Sequence, residues 1–142
     1  LYTATLGGGA FCNGNRLRVS KQQHSPARLE DCLLLSELGL SGGEQRRQYF
    51  TSMFDKLLWR CQSVRQIGSA CISLALVAEG CADAFIHDKL CIWDCAVGIL
   101  VTESGGVLRT IDGDPFDLNA GNCLATANAD LAQAIAKVTT RK

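Results

Sequence analysis

The sequence predicts an α/β fold: a layered αβα sandwich built on a mixed sheet and preceded by a short β-hairpin. Three observations carry this. Short β-rich runs alternate along the chain with apolar helical patterns. Residues 32–35 are apolar without alternation, as a strand covered on both faces must be. The helical pattern over 69–79 is apolar nearly all round, which places it between layers rather than at the surface. With 142 residues, 47% of them hydrophobic, the chain can bury a substantial core.

Residues 1–5 are strand-like, Gly7-Gly8-Gly9 interrupts them, and Ala10-Phe11-Cys12 then meets Asn13-Gly14, the strongest two-residue hairpin signal. Beyond that turn Arg16-Leu17-Arg18-Val19 alternates, so Leu17 and Val19 share a buried face. Two or three strands do not hold together alone in water, so the hairpin needs a sheet to join. The glycine triplet is a turn rather than a phosphate loop, because no helix with Lys-Ser or Lys-Thr follows it. Residues 21–28, with Pro26 among polar neighbours, form a linker. The expected boundary therefore lies in this linker, with 1–28, hairpin and linker, on one side and an α/β domain over 29–142 on the other. His24 in the linker reads as a solvent-facing loop residue.

Residues 32–35 open the second part. Ser41-Gly42-Gly43 leads into a helix over 44–59, where Tyr49, Phe50, Met53, Phe54, Leu57 and Leu58 recur at core-packing spacing and Arg46-Arg47 falls on the solvated face. Residues 61–64 are a short strand. Ser69 is an N-cap candidate for a helix that runs to Glu79 and stops at Gly80. A strand over 82–86 and a loop over 87–90 deliver the chain to one helix, which opens with Trp93-Asp94, runs apolar along Val97, Leu100 and Val101, and stops at Gly105-Gly106. A strand over 107–111, a turn at Asp114-Pro115-Phe116, a strand over 123–127 and a helix over 128–138 with Leu131, Ile135 and Val138 on one face complete the chain.

Composition removes several function classes. Fourteen basic and fourteen acidic residues cancel, so bulk charge draws the chain to neither nucleic acid nor an anionic membrane. The longest apolar run, 70–78, is about half the length of a spanning helix. Eight cysteines (Cys12, Cys32, Cys61, Cys71, Cys81, Cys91, Cys95 and Cys123) form no CxxC and no CxxC…HxxxH spacing, which argues against structural zinc. Most sit in apolar runs such as Ala70-Cys71-Ile72 and Leu90-Cys91-Ile92, where a thiol behaves as a small buried hydrophobe. With no signal peptide, the expected setting is reducing and cytoplasmic.

Asp94 is the residue with chemistry to offer. A carboxylate in a helix's first turn faces its unpaired N–H groups and the positive end of its dipole, which keeps it ionised and aims it outward. The pattern alone leaves two readings open, a helix-start acid and a ligand-binding carboxylate.

Three stretches carry a resemblance. The first is Gly9-Ala10-Phe11-Cys12-Asn13-Gly14 with Leu17 and Val19-Ser20. The second runs from Arg65 through Gly68-Ser69-Ala70 to Val77-Ala78-Glu79-Gly80 and Asp83-Ala84-Phe85. The third is Trp93-Asp94 through Gly98 to Glu103-Ser104-Gly105-Gly106, completed by Pro115-Phe116-Asp117-Leu118. In this order and at these spacings, from Tyr2 to about Leu131, the chain resembles the C-terminal half of the inositol monophosphatase family, magnesium-dependent and lithium-sensitive phosphatases. The resemblance implies Mg²⁺ as cofactor and Asp94 as a metal ligand, in keeping with the preference of that cation for oxygen. It implies that Gly68, Ser69 and Ala70 contact the alcohol portion of the substrate, beside the simpler reading of that step as a capped helix start. The inositol-binding members place a Glu where His87 stands here; His87 can donate or accept but lacks the fixed negative charge, which opens the way to a different phosphomonoester. The resemblance also implies that 1–28 is hairpin and linker from an N-terminal α+β domain whose sheet is missing from this chain, and that 29–142 is the C-terminal α/β domain; the Gly-Glu and Asp-Pro-Ile-Asp-Gly-Thr motifs of the family's N-terminal half, which supply most of its metal-binding carboxylates, do not occur in this sequence.

The expectation is thus the C-terminal part of a Mg²⁺-dependent phosphomonoesterase, inactive as this isolated chain, with a small phosphorylated alcohol as substrate and a homodimer as the intact form. The alternatives are a bisphosphate nucleotidase or sugar bisphosphatase of the same fold, or a non-catalytic binding module.

Overall fold

Residues 1–19, 28–37 and 43–140 are described by the computed structural model. Most of the expected linker, with Pro26 and His24, and Ser41-Gly42 ahead of the first long helix lie outside the described residues. The chain opens with β1 (Tyr2–Thr5), β2 (Gly9–Cys12) and β3 (Asn15–Arg16), paired antiparallel in that order. Asn13 and Gly14 both take left-handed φ values, 49° and 79°, which a tight two-residue turn of the right twist demands. Leu17 and Val19 follow, both buried as their alternation predicts.

The remaining elements are β4 (Leu33–Ser36), α1 (Gly43–Leu58), β5 (Ser63–Arg65), α2 (Ala70–Glu79) and β6 (Ala84–His87), then α3 (Ile92–Ala96), α4 (Gly98–Glu103), β7 (Val107–Arg109), β8 (Cys123–Thr126) and α5 (Ala129–Thr139). The five strands form one mixed sheet in the order β5-β4-β6-β8-β7: β5, β4 and β6 run parallel, and β8 is antiparallel to both β6 and β7. Side chains alternate across this sheet and so sort into two cores. Leu35, Phe85, Cys123 and Ala125 face α2 and α4, packing with Leu74, Val77, Leu100 and Val101. Leu34, Ala84, Ile86 and Leu124 face α1 and α5, packing with Phe50, Met53, Leu57, Leu131 and Ile135. Two helical layers on one sheet make the αβα sandwich.

The hairpin joins the first of these cores through Ala10 and Leu17. It is also held from α4: the Glu103 carboxylate accepts hydrogen bonds from the backbone N–H groups of Gly7 and Gly9, each at 2.8 Å. Beyond α4, Gly106 admits no side chain, since a Cβ there would lie 2.8 Å from the Thr126 carbonyl oxygen and 3.1 Å from that of Val101.

The structure departs from the sequence reading in several places. The single helix expected from Trp93 is two, because at Val97 the backbone tightens to i→i−3 bonding: its N–H reaches the Asp94 carbonyl at 3.1 Å, and the Leu100 N–H reaches the Val97 carbonyl at 3.0 Å. The break seats Gly98 against β7, where a Cβ would come within 2.6 Å of the Leu108 side chain. His87 is the last residue of β6, paired with Cys123, rather than part of a loop. Arg46 does not lie on a solvated face: it forms a salt bridge of 2.6 Å with Asp88, and the two side chains are only 15% and 5% exposed. Leu58 closes α1 facing solvent. All eight thiols are unpaired, and Cys91, expected to be buried by its apolar neighbours, is exposed.

Candidate functional site

In open α/β sheets ligands bind beyond the carboxyl ends of the parallel strands, where each chain segment turns toward a helix. Here those ends belong to β4, β5 and β6. Glu37 follows β4, Gly68-Ser69-Ala70 lie between β5 and α2, His87 ends β6, and Lys89 and Leu90 lead toward α3, which carries Asp94. Together these eight residues line a cleft of about 460 Å³. The structure thus brings all five candidates of the sequence analysis, Gly68, Ser69, Ala70, His87 and Asp94, to one place. A larger cavity of about 550 Å³ lies along α5 and receives none of them.

Glu37 escaped the sequence reading. Its Oε1 accepts from the Ile67 N–H at 3.1 Å and the Ser73 hydroxyl at 3.0 Å, and its Oε2 accepts from the Gly68 N–H at 2.8 Å. The carboxylate therefore shapes the loop that opens α2. Gly68 turns its N–H toward that carboxylate at φ 85°, a left-handed conformation costly for any side chain. The available signal was an acid just past the apolar run 32–35, where β4 ends at Ser36. Ser69 caps α2 as the sequence predicts: its backbone is extended and its hydroxyl accepts from the Ile72 N–H at 3.4 Å. The same residue lines the cleft, so its cap role and its exposure to a ligand coexist.

His87 is 8% exposed. Its Nδ1 accepts the Lys89 backbone N–H at 2.9 Å, so in the neutral ring the proton sits on Nε2. Burial pushes its pKa below the ordinary value; the Asp88 carboxylate opposes that shift and the Arg46 guanidinium reinforces it. The Arg46–Asp88 pair ties the segment that carries His87 and Lys89 to α1.

Asp94 sits half-buried in the first turn of α3, and the Cys71 thiol donates to its Oδ1 at 3.2 Å. Burial and that hydrogen bond push the Cys71 thiol's pKa up, so the contact is between a neutral thiol and a carboxylate oxygen. Among the described residues no three His, Cys, Asp or Glu side chains converge to hold a metal ion. Glu37, the other carboxylate in the cleft, is committed to backbone and hydroxyl donors. Magnesium needs several oxygen ligands in near-octahedral geometry, and these residues do not assemble such a site by themselves.

The model of the inositol monophosphatase family matches residues 1–142. Inositol monophosphatase 1 of Bos taurus is 40% identical over 139 residues, 96% of this chain and 49% of that protein. Inositol monophosphatase 2 of Homo sapiens is 37% identical, over 96% of this chain and 47% of that protein. Among solved structures, the native extragenic suppressor protein suhB from Bartonella henselae superposes with a TM-score of 0.86 at 30% identity, covering 99% of this chain and 52% of that one. The inositol monophosphatase from Anabaena (Nostoc) sp. PCC 7120 gives 0.81 at 28%, covering 96% and 54%. The chain spans about half the length of the relatives it matches.

Proposed function

The chain belongs to the inositol monophosphatase family, and on that premise we propose that it is the part of a phosphomonoesterase that receives the alcohol portion of a small phosphate ester. The observation that carries this reading is the convergence of the α2 start, His87 and Asp94 on one cleft at the carboxyl edge of the parallel strands. Each has a physical task there. The start of α2 presents backbone N–H groups and the positive end of a ten-residue helix. Ser69 offers a hydroxyl that still has a proton to donate while its oxygen caps the helix. His87, lining the same cleft, orients the alcohol. Asp94 is one carboxylate of a Mg²⁺ site whose remaining ligands these residues do not supply, so the isolated chain is expected to be inactive.

The test uses the full-length protein. Phosphate release from inositol 1-phosphate should depend on Mg²⁺, and Asp94→Asn should lower it by at least about a hundredfold, as expected when an electrostatic partner of the transition state is removed. Calorimetric titration of Mg²⁺ into both proteins gives a readout apart from turnover and should show weaker binding to the variant. Parent-like activity together with parent-like metal affinity in Asp94→Asn would rule out the ligand role.

A further inference from the structure

We propose that Cys32 and Cys61 form a peroxide-responsive thiol pair, in which Cys61 is oxidised first and Cys32 then closes a disulfide that ties the amino ends of β4 and β5 together. The pair lies at the sheet edge opposite the cleft, so the proposal stands apart from the phosphatase reading. Its geometry comes from the sheet. β4 and β5 run parallel with Leu33 opposite Ser63, and the Ser63 N–H donates to the Cys32 carbonyl at 3.4 Å, which carries the pairing onto Cys32. Cys61 stands two residues before Ser63, where its N–H donates to the Leu57 carbonyl of α1 at 2.9 Å. A one-residue offset of about 3.3 Å across a strand spacing of about 4.8 Å sets the two Cα atoms roughly 6 Å apart. A disulfide spans Cα separations of about 4.4–6.8 Å. Both side chains enter the core beneath α1 and α5, and there the Cys32 thiol donates a hydrogen bond to the Cys61 sulfur.

The surroundings give the two thiols different tasks. Cys32 is fully buried near Asp83, whose carboxylate accepts the Leu33 N–H at 2.7 Å. The hydrogen bond it gives to Cys61, its burial and the Asp83 charge all hold the proton on Cys32. Cys61 is half-buried, and the same hydrogen bond draws its pKa below the ordinary thiol value against the opposing effect of burial. An accessible thiol that ionises readily beside a second thiol is the arrangement that peroxide oxidises. The Cys61 thiolate attacks one oxygen of hydrogen peroxide; an S–O bond forms as the O–O bond breaks, hydroxide leaves, and Cys61 becomes a sulfenic acid. That hydroxide takes up the proton Cys61 had lost. The Cys32 sulfur then attacks the Cys61 sulfur; the S–S bond forms as the S–O bond breaks, and the hydroxyl departs with the Cys32 proton as a second water. Two electrons pass from the thiols to the peroxide. The bridge closes the segment that carries α1 and pins β5, which stands at the edge of the sheet beside β4.

Peptide mapping of the full-length protein tests this. The reduced protein is treated with stoichiometric hydrogen peroxide, blocked with N-ethylmaleimide and digested with trypsin in the absence of reductant. Cleavage after Arg28, Arg46, Arg60 and Arg65 places Cys32 in the peptide 29–46 and Cys61 in the peptide 61–65. These two should appear joined, lighter than their sum by two hydrogens, and dithiothreitol should separate them. The bridged protein should melt at least about 5 °C above the reduced one, because closing the loop restricts the unfolded chain. Cys61→Ser should form no bridge, leave Cys32 a free thiol and remove the difference in melting. Cys32→Ser, in which Cys61 has lost its partner, should stop at a sulfenic acid that dimedone traps. Oxidation of Cys61 to sulfinic acid with no bridge, bridges that join either residue chiefly to another cysteine, or a Cys61 that stays unmodified while other thiols react would each overturn the proposal.

Discussion

Replacing Arg46 by Met should destabilise the protein more than any other exposed-looking substitution in α1. The Asp88 side chain is 5% exposed and its Oδ1 receives both Nε, at 3.0 Å, and an Nη, at 2.6 Å, of Arg46. Removing the guanidinium leaves that carboxylate desolvated with its counter-charge gone, which costs about 3–5 kcal/mol for a buried pair. Because the Arg46 side chain keeps 15% of its surface, water can reach part of the vacated space, and the lower end, about 3 kcal/mol, is expected. In a domain of this size that corresponds to a fall in Tm of very roughly 6–12 °C. Urea melts of the parent, Arg46→Met, Asp88→Leu and the double variant measure it directly. The double variant should recover much of the loss, since no charge is then left buried alone. A single Arg46→Met variant within about 0.5 kcal/mol of the parent would mean that Asp88 finds solvent without its partner, and the argument would fail.

Two further perturbations follow from the structure. Gly106→Ala forces a methyl to within 2.8 Å of the Thr126 carbonyl and 2.7 Å of the Val101 side chain, between α4 and the sheet, so a loss of about 2 kcal/mol is expected by denaturant melt; a variant as stable as the parent would show that this contact relaxes freely. His87 should make stability pH-dependent in one direction. Its folded pKa lies below the ordinary 6.5, so the stability it lends is fully present above that pH and declines as pH falls toward the folded value, because the unfolded chain takes up the proton first. Melts from about pH 7.5 to 5 should show a shallower decline for His87→Gln than for the parent, and equal slopes would refute the assignment.

What the sequence disclosed is local in origin, and what it concealed is held by partners far along the chain. Asn13-Gly14 dictates its turn through the φ angles of those two residues alone, and Ser69 and Gly80 mark the ends of α2 because cap chemistry operates within one helical turn. The αβα layering was readable because the unbroken apolar run at 32–35 and the all-apolar α2 are properties of single segments. Arg46, by contrast, looks like half of a solvated Arg-Arg pair until Asp88, 42 residues away, is brought against it. Glu37 meets its partners 30, 31 and 36 residues later, so nothing beside it distinguishes a loop-shaping carboxylate from an ordinary surface acid. The break at Val97 has the same character: the sequence there is helical, but seating Gly98 against Leu108 of β7 requires the tighter turn. Cys91 is the mirror case, since its apolar neighbours suggest burial and only the docking of Leu90 and Cys95 into the core shows that the residue between faces out. His87 joins both kinds. Its place in the chain singled it out, but the strand pairing with Cys123 and the bond from Lys89 that decide which nitrogen it offers to a ligand exist only in the folded chain.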